Sequence, residues 1–342
     1  MRVDELDYEL PEELIAQAPS LPRDASRLLV LPRRGGELRH HRFSDLPELL
    51  EPGDLLVLND SRVIPARLVG RKASGGRCEL LLVEPIDPEG SRWRAMGQAS
   101  KALRPGQGLA FDGLEAEVEL AEGDGFYAVR FDRGGPALEA ALERVGRVPL
   151  PPYIRRAATG SDREAYQTVV ARAPGSVAAP TAGLHFTPAL LERIEGRGVR
   201  RAQVTLHVGP GTFLPVRASR LEDHRMHAER FEVPAATAAA FAEARARGGR
   251  VVAVGTTVVR ALESAAADGH LRAGAGRTDL FIAPGFEFRA VDALVTNFHL
   301  PRSTLLALVC AFAGTRRVLD AYRAAVAARY RFYSYGDAMA VL

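Results

Sequence analysis

The 342-residue sequence predicts an α/β protein in which a mixed-sheet main domain is interrupted by a small antiparallel β-barrel. Three observations carry that expectation. Strand, short polar turn and helix follow one another repeatedly outside the middle of the chain, an order that right-handed crossovers set along one edge of a sheet. Between about Val63 and Arg147 this texture gives way to short β-rich runs separated by glycines. An apolar fraction of 47% at this length is enough for two folded cores. The domains are accordingly placed at 1–62 together with 148–342, discontinuous, and at 63–147 for the insertion.

Residues Leu10 to Leu31 read as a short helix, a proline-rich turn and a strand. Leu55 to Leu58 is continuously apolar, as a strand buried on both faces requires, and it ends in Asn59-Asp60-Ser61-Arg62. Polar residues in that place are where α/β proteins put ligands. The inserted runs are Ile64–Val69, Arg77–Val83, Arg92–Met96, Leu114–Leu120 and Phe126–Phe131, and the first convincing helix is Pro136–Val145. Pro149 to Ile154 is a stiff connector, and Asp162–Arg172 reads as a helix. A small-residue stretch, Pro174 to Thr187, lets backbone approach a ligand closely; it carries His185, and Thr187-Pro188 starts the next helix.

The densest segment is Gln203 to Glu229, with three of the eight histidines. Val204, Leu206 and Val208 alternate with Gln203, Thr205 and His207, so His207 faces away from the apolar set. Gly209-Pro210-Gly211-Thr212 then turns the chain where backbone N–H groups can meet a ligand. His224, His227 and Glu229 form an HxxHxE cluster, on one side of a helical turn or at a loop end. Beyond it, Pro234–Arg247 is a helix and Arg250–Val254 a strand feeding Gly255-Thr256-Thr257 and a helix that bears Arg260. That is an anion or carboxylate seat in form, though neither GxGxxG nor a lysine P-loop. Thr278–Ile282 and Ala293–Thr296 are further strands, the second leading to Asn297, His299, Arg302 and Ser303 and the helix Leu305–Ala313. The last helix, Arg316–Tyr330, runs into an aromatic tail with Tyr333, Tyr335 and Asp337. His185, His207, Thr256, Arg260, Asn297, His299 and Arg302 are expected to converge.

Composition narrows the class. The net charge of +3 permits a polyanionic partner without demanding one, and arginine supplies nearly all the positive charge, Lys72 and Lys101 being the only lysines. No run approaches the roughly eighteen apolar residues of a membrane span, the longest being Leu305–Ala313. The acidic N-terminal stretch has no apolar signal core, so a cytoplasmic protein is expected. Cys78 and Cys310 lack CxxC spacing, which argues against a disulfide framework or a zinc ribbon.

The HxxHxE cluster admits three readings: a metal site, a hydrogen-bonded structural cluster, or a catalytic or substrate-binding one. Its spacing is weaker than HExxH and no fourth ligand is evident, so no metal is expected. No serine lies in GxSxG, which leaves a nucleophilic hydrolase without support. Two rivals to an enzyme of another class stand: a nucleic-acid-binding protein without catalysis, and a metal-dependent hydrolase built on His224, His227 and Glu229.

Several long strings decide between them. LPEELIAQAP, DLLVLNDSRVIPARL, PGSVAAPTAGLHFT, VTLHVGPGTFLPV, HRMHAE, VGTTVVRALES, VDALVTNFHLPRSTLLALVCAFAG and YRFYSYGDAM together resemble the S-adenosylmethionine:tRNA ribosyltransferase-isomerase family of queuosine biosynthesis, in order and from end to end. The resemblance implies an α/β domain interrupted by a barrel, with S-adenosylmethionine as co-substrate and no metal. It implies that the ribosyl part of S-adenosylmethionine is transferred to 7-aminomethyl-7-deazaguanine at the tRNA wobble position and isomerised, giving epoxyqueuosine with release of adenine and methionine.

That chemistry needs at least two acid–base groups, because a proton beside a sulfonium must leave, adenine must be protonated or hydrogen-bonded, and the amine must lose protons. Position and chemistry nominate His207, His227 and Glu229 for proton transfer, with His185 and His299 next. Gly209, Gly211, Thr212, Thr256, Thr257, Arg260 and Asn297 are the expected S-adenosylmethionine contacts, Arg260 or Arg302 holding a carboxylate or phosphate. Asp60, Arg62, Arg302, Ser303, Tyr333, Tyr335 and Asp337 are the expected contacts to the modified tRNA. A monomer is expected.

Overall fold

The computed structural model describes residues 1–213, 218–266 and 269–342, with Thr212 and Phe213 described in backbone alone. The first strands are β1 (Arg27–Leu31), β2 (Arg39–Arg42), β3 (Leu55–Asn59) and β4 (Ser61–Val63). The next six are β5 (Arg67–Lys72), β6 (Arg77–Pro85), β7 (Arg92–Ala99), β8 (Gly108–Ala110), β9 (Glu115–Gly123) and β10 (Phe126–Phe131). After them come β11 (Ala173–Ser176), β12 (Arg200–Leu206), β13 (Glu229–Val233), β14 (Val251–Val254), β15 (Gly274–Thr278), β16 (Ala293–Asn297) and β17 (Ala338–Val341).

Nine of these form one mixed sheet in the order β15-β13-β12-β3-β14-β16-β17-β1-β2. Strands β12, β3, β14 and β16 run parallel, so their carboxyl ends share an edge. β17 is antiparallel to β16 and parallel to β1, which brings the amino ends of β1 and β17 to that same edge. The alternation of side chains then sorts two cores. Leu55, Val57, Val204, Val251 and Ala253 pack with the helices Ala235–Ala246, Thr256–Ala265, Thr304–Ala313 and Thr315–Ala327. Leu56, Leu58, Val252 and Val254 point the other way, onto Phe43, Phe186, Leu190 and Ile194.

Strands β5 to β10 close into a six-stranded antiparallel barrel, which together with the large mixed sheet is the architecture expected from the sequence. Closure needs β8, a three-residue strand that the pattern of the sequence does not signal. Its approach to β5 explains Gly70: a Cβ there would lie 2.2 Å from the Ala110 carbonyl oxygen and 2.4 Å from the Phe111 ring. The helix Gly135–Val145 packs Leu138, Ala141 and Leu142 into the barrel core.

Two expected elements come out differently. The helix expected over Asp162–Arg172 is one turn, Asp162–Ala165, because Gln167 uses its side chain to bond both backbone groups of Val63, at 3.0 and 2.7 Å. The strand expected at Thr278–Ile282 lies earlier, at Gly274–Thr278; past it the Leu280 amide folds back to Thr278 Oγ1 at 3.1 Å, and the Thr278 and Leu280 carbonyls accept from Arg260.

Candidate active site

Two hollows open at the carboxyl edge of the sheet, on either side of the chain that leaves β12. Val208 lines the first, while His207 and Gly209 line the second, so the period of two continues past the strand and divides them. The first is a small cavity of about 70 Å³ at the ends of β14 and β16. The second is a cleft between the main domain and the barrel; its outer part, from Met96 and Phe126 to His224 and His227, holds about 480 Å³.

The cleft brings His207, His227 and Glu229 together, and adds Arg230, Glu84, Arg94 and Phe126. His207 is half-buried, its amide bonded to the Arg230 carbonyl at 2.9 Å, and its buried Nδ1 has no hydrogen-bond partner. Burial, helped by the Arg230 guanidinium and opposed by the Asp60 carboxylate, pulls its pKa down to about 4, so the imidazole is neutral near pH 7. Gly175 makes room for it: a Cβ there would lie 3.1 Å from Nδ1. His227 is exposed beside the Phe126 ring at 5.6 Å and close to Gly211.

Glu229 is buried and fully engaged. It accepts from the Gly209 amide at 2.7 Å and pairs with Arg260, whose Nε and other terminal nitrogen donate to the Leu280 and Thr278 carbonyls at 3.0 and 3.2 Å. Arg260 therefore stands behind the site, tying the turn after β12 to helix Thr256–Ala265. The HxxHxE residues have no helical turn in common, since 224–228 are irregular and Glu229 opens β13. Among the described residues no group of three or more metal-ligating side chains comes together.

The small cavity is lined by Thr256, Thr257, Asn297, His299, Ser303 and Tyr333 among others. His299 bonds Thr296 Oγ1 at 2.8 Å, and burial lowers its pKa to about 3. His185 lies one layer deeper, Nδ1 on Ser26 Oγ at 2.7 Å and Nε2 on the Asn297 amide at 3.0 Å, stacked on Phe43 at 4.8 Å. Burial chiefly, with Arg23 and Arg331, lowers its pKa to about 3. Gly255 adopts φ 92° to start the helix Thr256–Ala265, which no side chain caps.

Other expected contacts lie elsewhere. Asp60 is buried between Thr205 Oγ1 at 2.6 Å and Arg172 at 3.0 Å, and Arg62 reaches Glu143 at 3.5 Å. Arg302 turns to Asp7 at 3.4 Å; Ser303, although it lines the small cavity, uses its hydroxyl to cap its helix by accepting from the Leu306 amide. Tyr335 donates to Asp162 at 3.2 Å, and Asp337 accepts from the Arg27 and Arg331 amides at 2.9 and 2.8 Å. The side chain of Thr212 lies outside the described residues.

With this geometry in view, residues 3–341 match the family described as queuosine biosynthesis protein. The chain belongs to that family. It is similar to the S-adenosylmethionine:tRNA ribosyltransferase-isomerase of Anaeromyxobacter sp. (strain Fw109-5), 70% identical over 340 residues, covering 99% of this chain and 98% of the relative. The protein of that name from Geobacter sulfurreducens is 55% identical, with 99% of each chain covered. A crystal structure of the S-adenosylmethionine tRNA ribosyltransferase from Thermotoga maritima is 42% identical, covers 99% of this chain and 100% of that one, and superposes with a TM-score of 0.57.

For this member of the queuosine biosynthesis family, inspection of the sequence missed the barrel's share of the cleft: Glu84, Arg94 and Phe126. Alternation tells which residues of a barrel strand point outward, and nothing in it tells which rim meets the main domain. Arg230 was within reach, being the neighbour of Glu229 and on the opposite face of the same strand.

Proposed function

We propose that the chain is an S-adenosylmethionine:tRNA ribosyltransferase-isomerase, acting as a cytoplasmic monomer on tRNA that carries 7-aminomethyl-7-deazaguanine at the wobble position. In this reading the ribosyl moiety passes from S-adenosylmethionine to the aminomethyl group and is isomerised to give epoxyqueuosine, and adenine and methionine leave. The observation that carries the reading is His207, a neutral imidazole with an unpartnered Nδ1 at the cleft where the barrel meets the sheet edge. A proton on the carbon beside the sulfonium is acidified by the adjacent positive charge, and a neutral imidazole of depressed pKa is a base that does not arrive already protonated. We assign that removal to His207. His227, exposed in the cleft, is assigned to the departing adenine or the incoming amine. Glu229 and Arg260 set the Gly209 backbone, and the unit proposed at 63–147 forms the second wall. Full-length likeness to proteins of this name supports the substrates.

Incubation of the purified protein with S-adenosylmethionine and tRNA bearing the aminomethyl-deazaguanine is expected to release adenine and methionine in equal amounts. Absence of adenine would remove the proposal. His227→Ala is expected to abolish turnover with an unchanged far-ultraviolet circular dichroism spectrum, and full activity would strike His227 from the site.

A further inference from the structure

The small cavity is not needed for the proton transfers assigned above, yet it is built as a binding site. Asn297 is 2 % exposed, and its Oδ1 has no hydrogen-bond partner. The amide cannot turn over to relieve this. Its Nδ2 lies 3.2 Å from the Tyr333 carbonyl and 3.0 Å from His185 Nε2, and a turned amide would set oxygen against the Tyr333 carbonyl oxygen. The Tyr333 carbonyl, which can only accept, fixes that arrangement; His185 Nε2 then accepts from Nδ2, and its Nδ1–H faces Ser26 Oγ at 2.7 Å. An acceptor oxygen of a residue that lines the cavity is thereby left with nothing to accept from.

The same cavity is lined by the amino end of helix Thr256–Ala265, ten residues long, uncapped and with no acidic side chain in its first turn. Its first N–H groups and helix dipole favour an anion. No Asp, Glu, Lys or Arg lines the cavity, and His299 is neutral, so a phosphate or a bare cation would find no countercharge. The rest of the lining combines apolar Val208, Ala179, Phe298 and Leu305 with the uncharged polar side chains of Thr181 and Ser334. At about 70 Å³ the space is far below the roughly 300 Å³ or more of a cavity that encloses a drug-sized ligand, so a nucleoside does not fit.

We infer that this cavity seats the α-amino-acid end of S-adenosylmethionine, with the carboxylate on the Thr256 and Thr257 amides and the ammonium on Asn297 Oδ1. A zwitterion is neutral overall, as the lining is, and needs one donor cluster and one acceptor. The inference rests on the proposed function for the identity of the ligand. Asn297 and Thr256 are binding residues, and His185 is a positioning residue acting through Asn297.

Isothermal titration of the full-length protein tests it with three probes: S-adenosylmethionine, its decarboxylated analogue, and its deaminated analogue. Each truncated probe is expected to bind about 30-fold more weakly, as loss of a charge-assisted contact implies. Thr256→Asp puts a carboxylate at the helix start, which favours the helix itself and repels the ligand's own carboxylate. It is expected to weaken S-adenosylmethionine by about 30-fold or more and to leave the decarboxylated analogue within about threefold of its wild-type affinity. Equal wild-type affinity for all three probes would overturn the seat, as would equal weakening of S-adenosylmethionine and the decarboxylated analogue by the substitution. Failure of the wild-type protein to bind S-adenosylmethionine at all would instead overturn the proposed function, and the seat with it.

Discussion

Val208 faces a cavity whose walls carry no formal charge, whereas its neighbours His207 and Gly209 face a cleft that carries Glu84, Arg94, Glu229 and Arg230. The two hollows treat histidine in opposite ways. At the cavity, His299 is bonded through Nε2 to Thr296, and behind it both nitrogens of His185 are bonded, so the His185 ring is spent on holding shape. In the cleft, His207 keeps an unpartnered Nδ1, and His227 is open to solvent. A proton carrier needs a ring that is not tied up on both sides, and the cleft holds both such rings. The difference teaches that a cluster of histidines in sequence marks an edge of the fold and leaves each member's task to be settled by its partners.

The strongest way to break this contrast is to exchange the tasks. His207→Gln is expected to lower the rate of adenine release by about 10²–10⁴-fold, the usual range for a lost general base, with little change in melting temperature. His185→Gln is expected to do the reverse, lowering the melting temperature while the rate per folded molecule falls far less. Equal losses of rate in the two variants would erase the distinction.

A second test concerns the ion pair behind the cleft. Glu229→Gln leaves Arg260 buried without a countercharge, and its expected effect is a loss of about 3–5 kcal/mol in denaturant-derived stability. Adding Arg260→Met should recover much of that loss, since the cost lies in the orphaned charge more than in the missing pair. No recovery in the double variant would mean that Glu229 acts mainly by fixing the Gly209 amide.

How far the sequence led can be judged from these residues. The carboxyl-edge convergence was legible because strand, polar turn and helix put Thr256, Asn297 and His299 at successive strand ends, and all three line one cavity. Arg260 was legible as a residue near the site and illegible as the partner of Glu229. A helix pattern gives the face of a residue, whereas the partner depends on which strand lies across from it, here β13 against β15. The division between cavity and cleft at Val208 follows from alternation already visible in VTLHVG, once the barrel is known to stand on the far side. The short strand β8 and the barrel's contribution to the cleft were not legible, because three residues carry no measurable period and outward-facing residues look alike on every rim.

Acid sharpens the contrast through the two closed histidines. His185 and His299 have pKa values lowered to about 3 in the fold, while in the unfolded chain they titrate near 6.5. As pH falls below about 6.5 the unfolded chain takes up protons that the folded chain refuses, so stability drops, and it goes on dropping until the folded value is reached. At pH 5 each ring is expected to cost about 2 kcal/mol. Thermal melts between pH 7 and 4.5 should show the steep decline, and His185→Gln should flatten it. An unchanged slope in that variant would mean that the ring is not held neutral.

The smallest expected effect separates two pairs of the same chemistry. Glu84 of the barrel strand β6 accepts from both terminal nitrogens of Arg277 on β15, at 2.9 and 3.1 Å, and so joins barrel to sheet across the cleft. Arg277 is half exposed where Arg260 is buried, and water competes for its guanidinium. Glu84→Gln is therefore expected to cost less than about 1 kcal/mol of stability, several-fold less than Glu229→Gln, and the cost should shrink further in high salt. Its larger consequence should be on substrate use. Glu84 lies 3.7 Å from Arg230, the neighbour that lowers the pKa of His207, so removing its charge leaves Arg230 less neutralised and the His207 pKa lower still. The acid limb of the pH–rate profile should then move to lower pH. A shift in the opposite direction would show that the barrel's carboxylate governs His207 by position and not by charge.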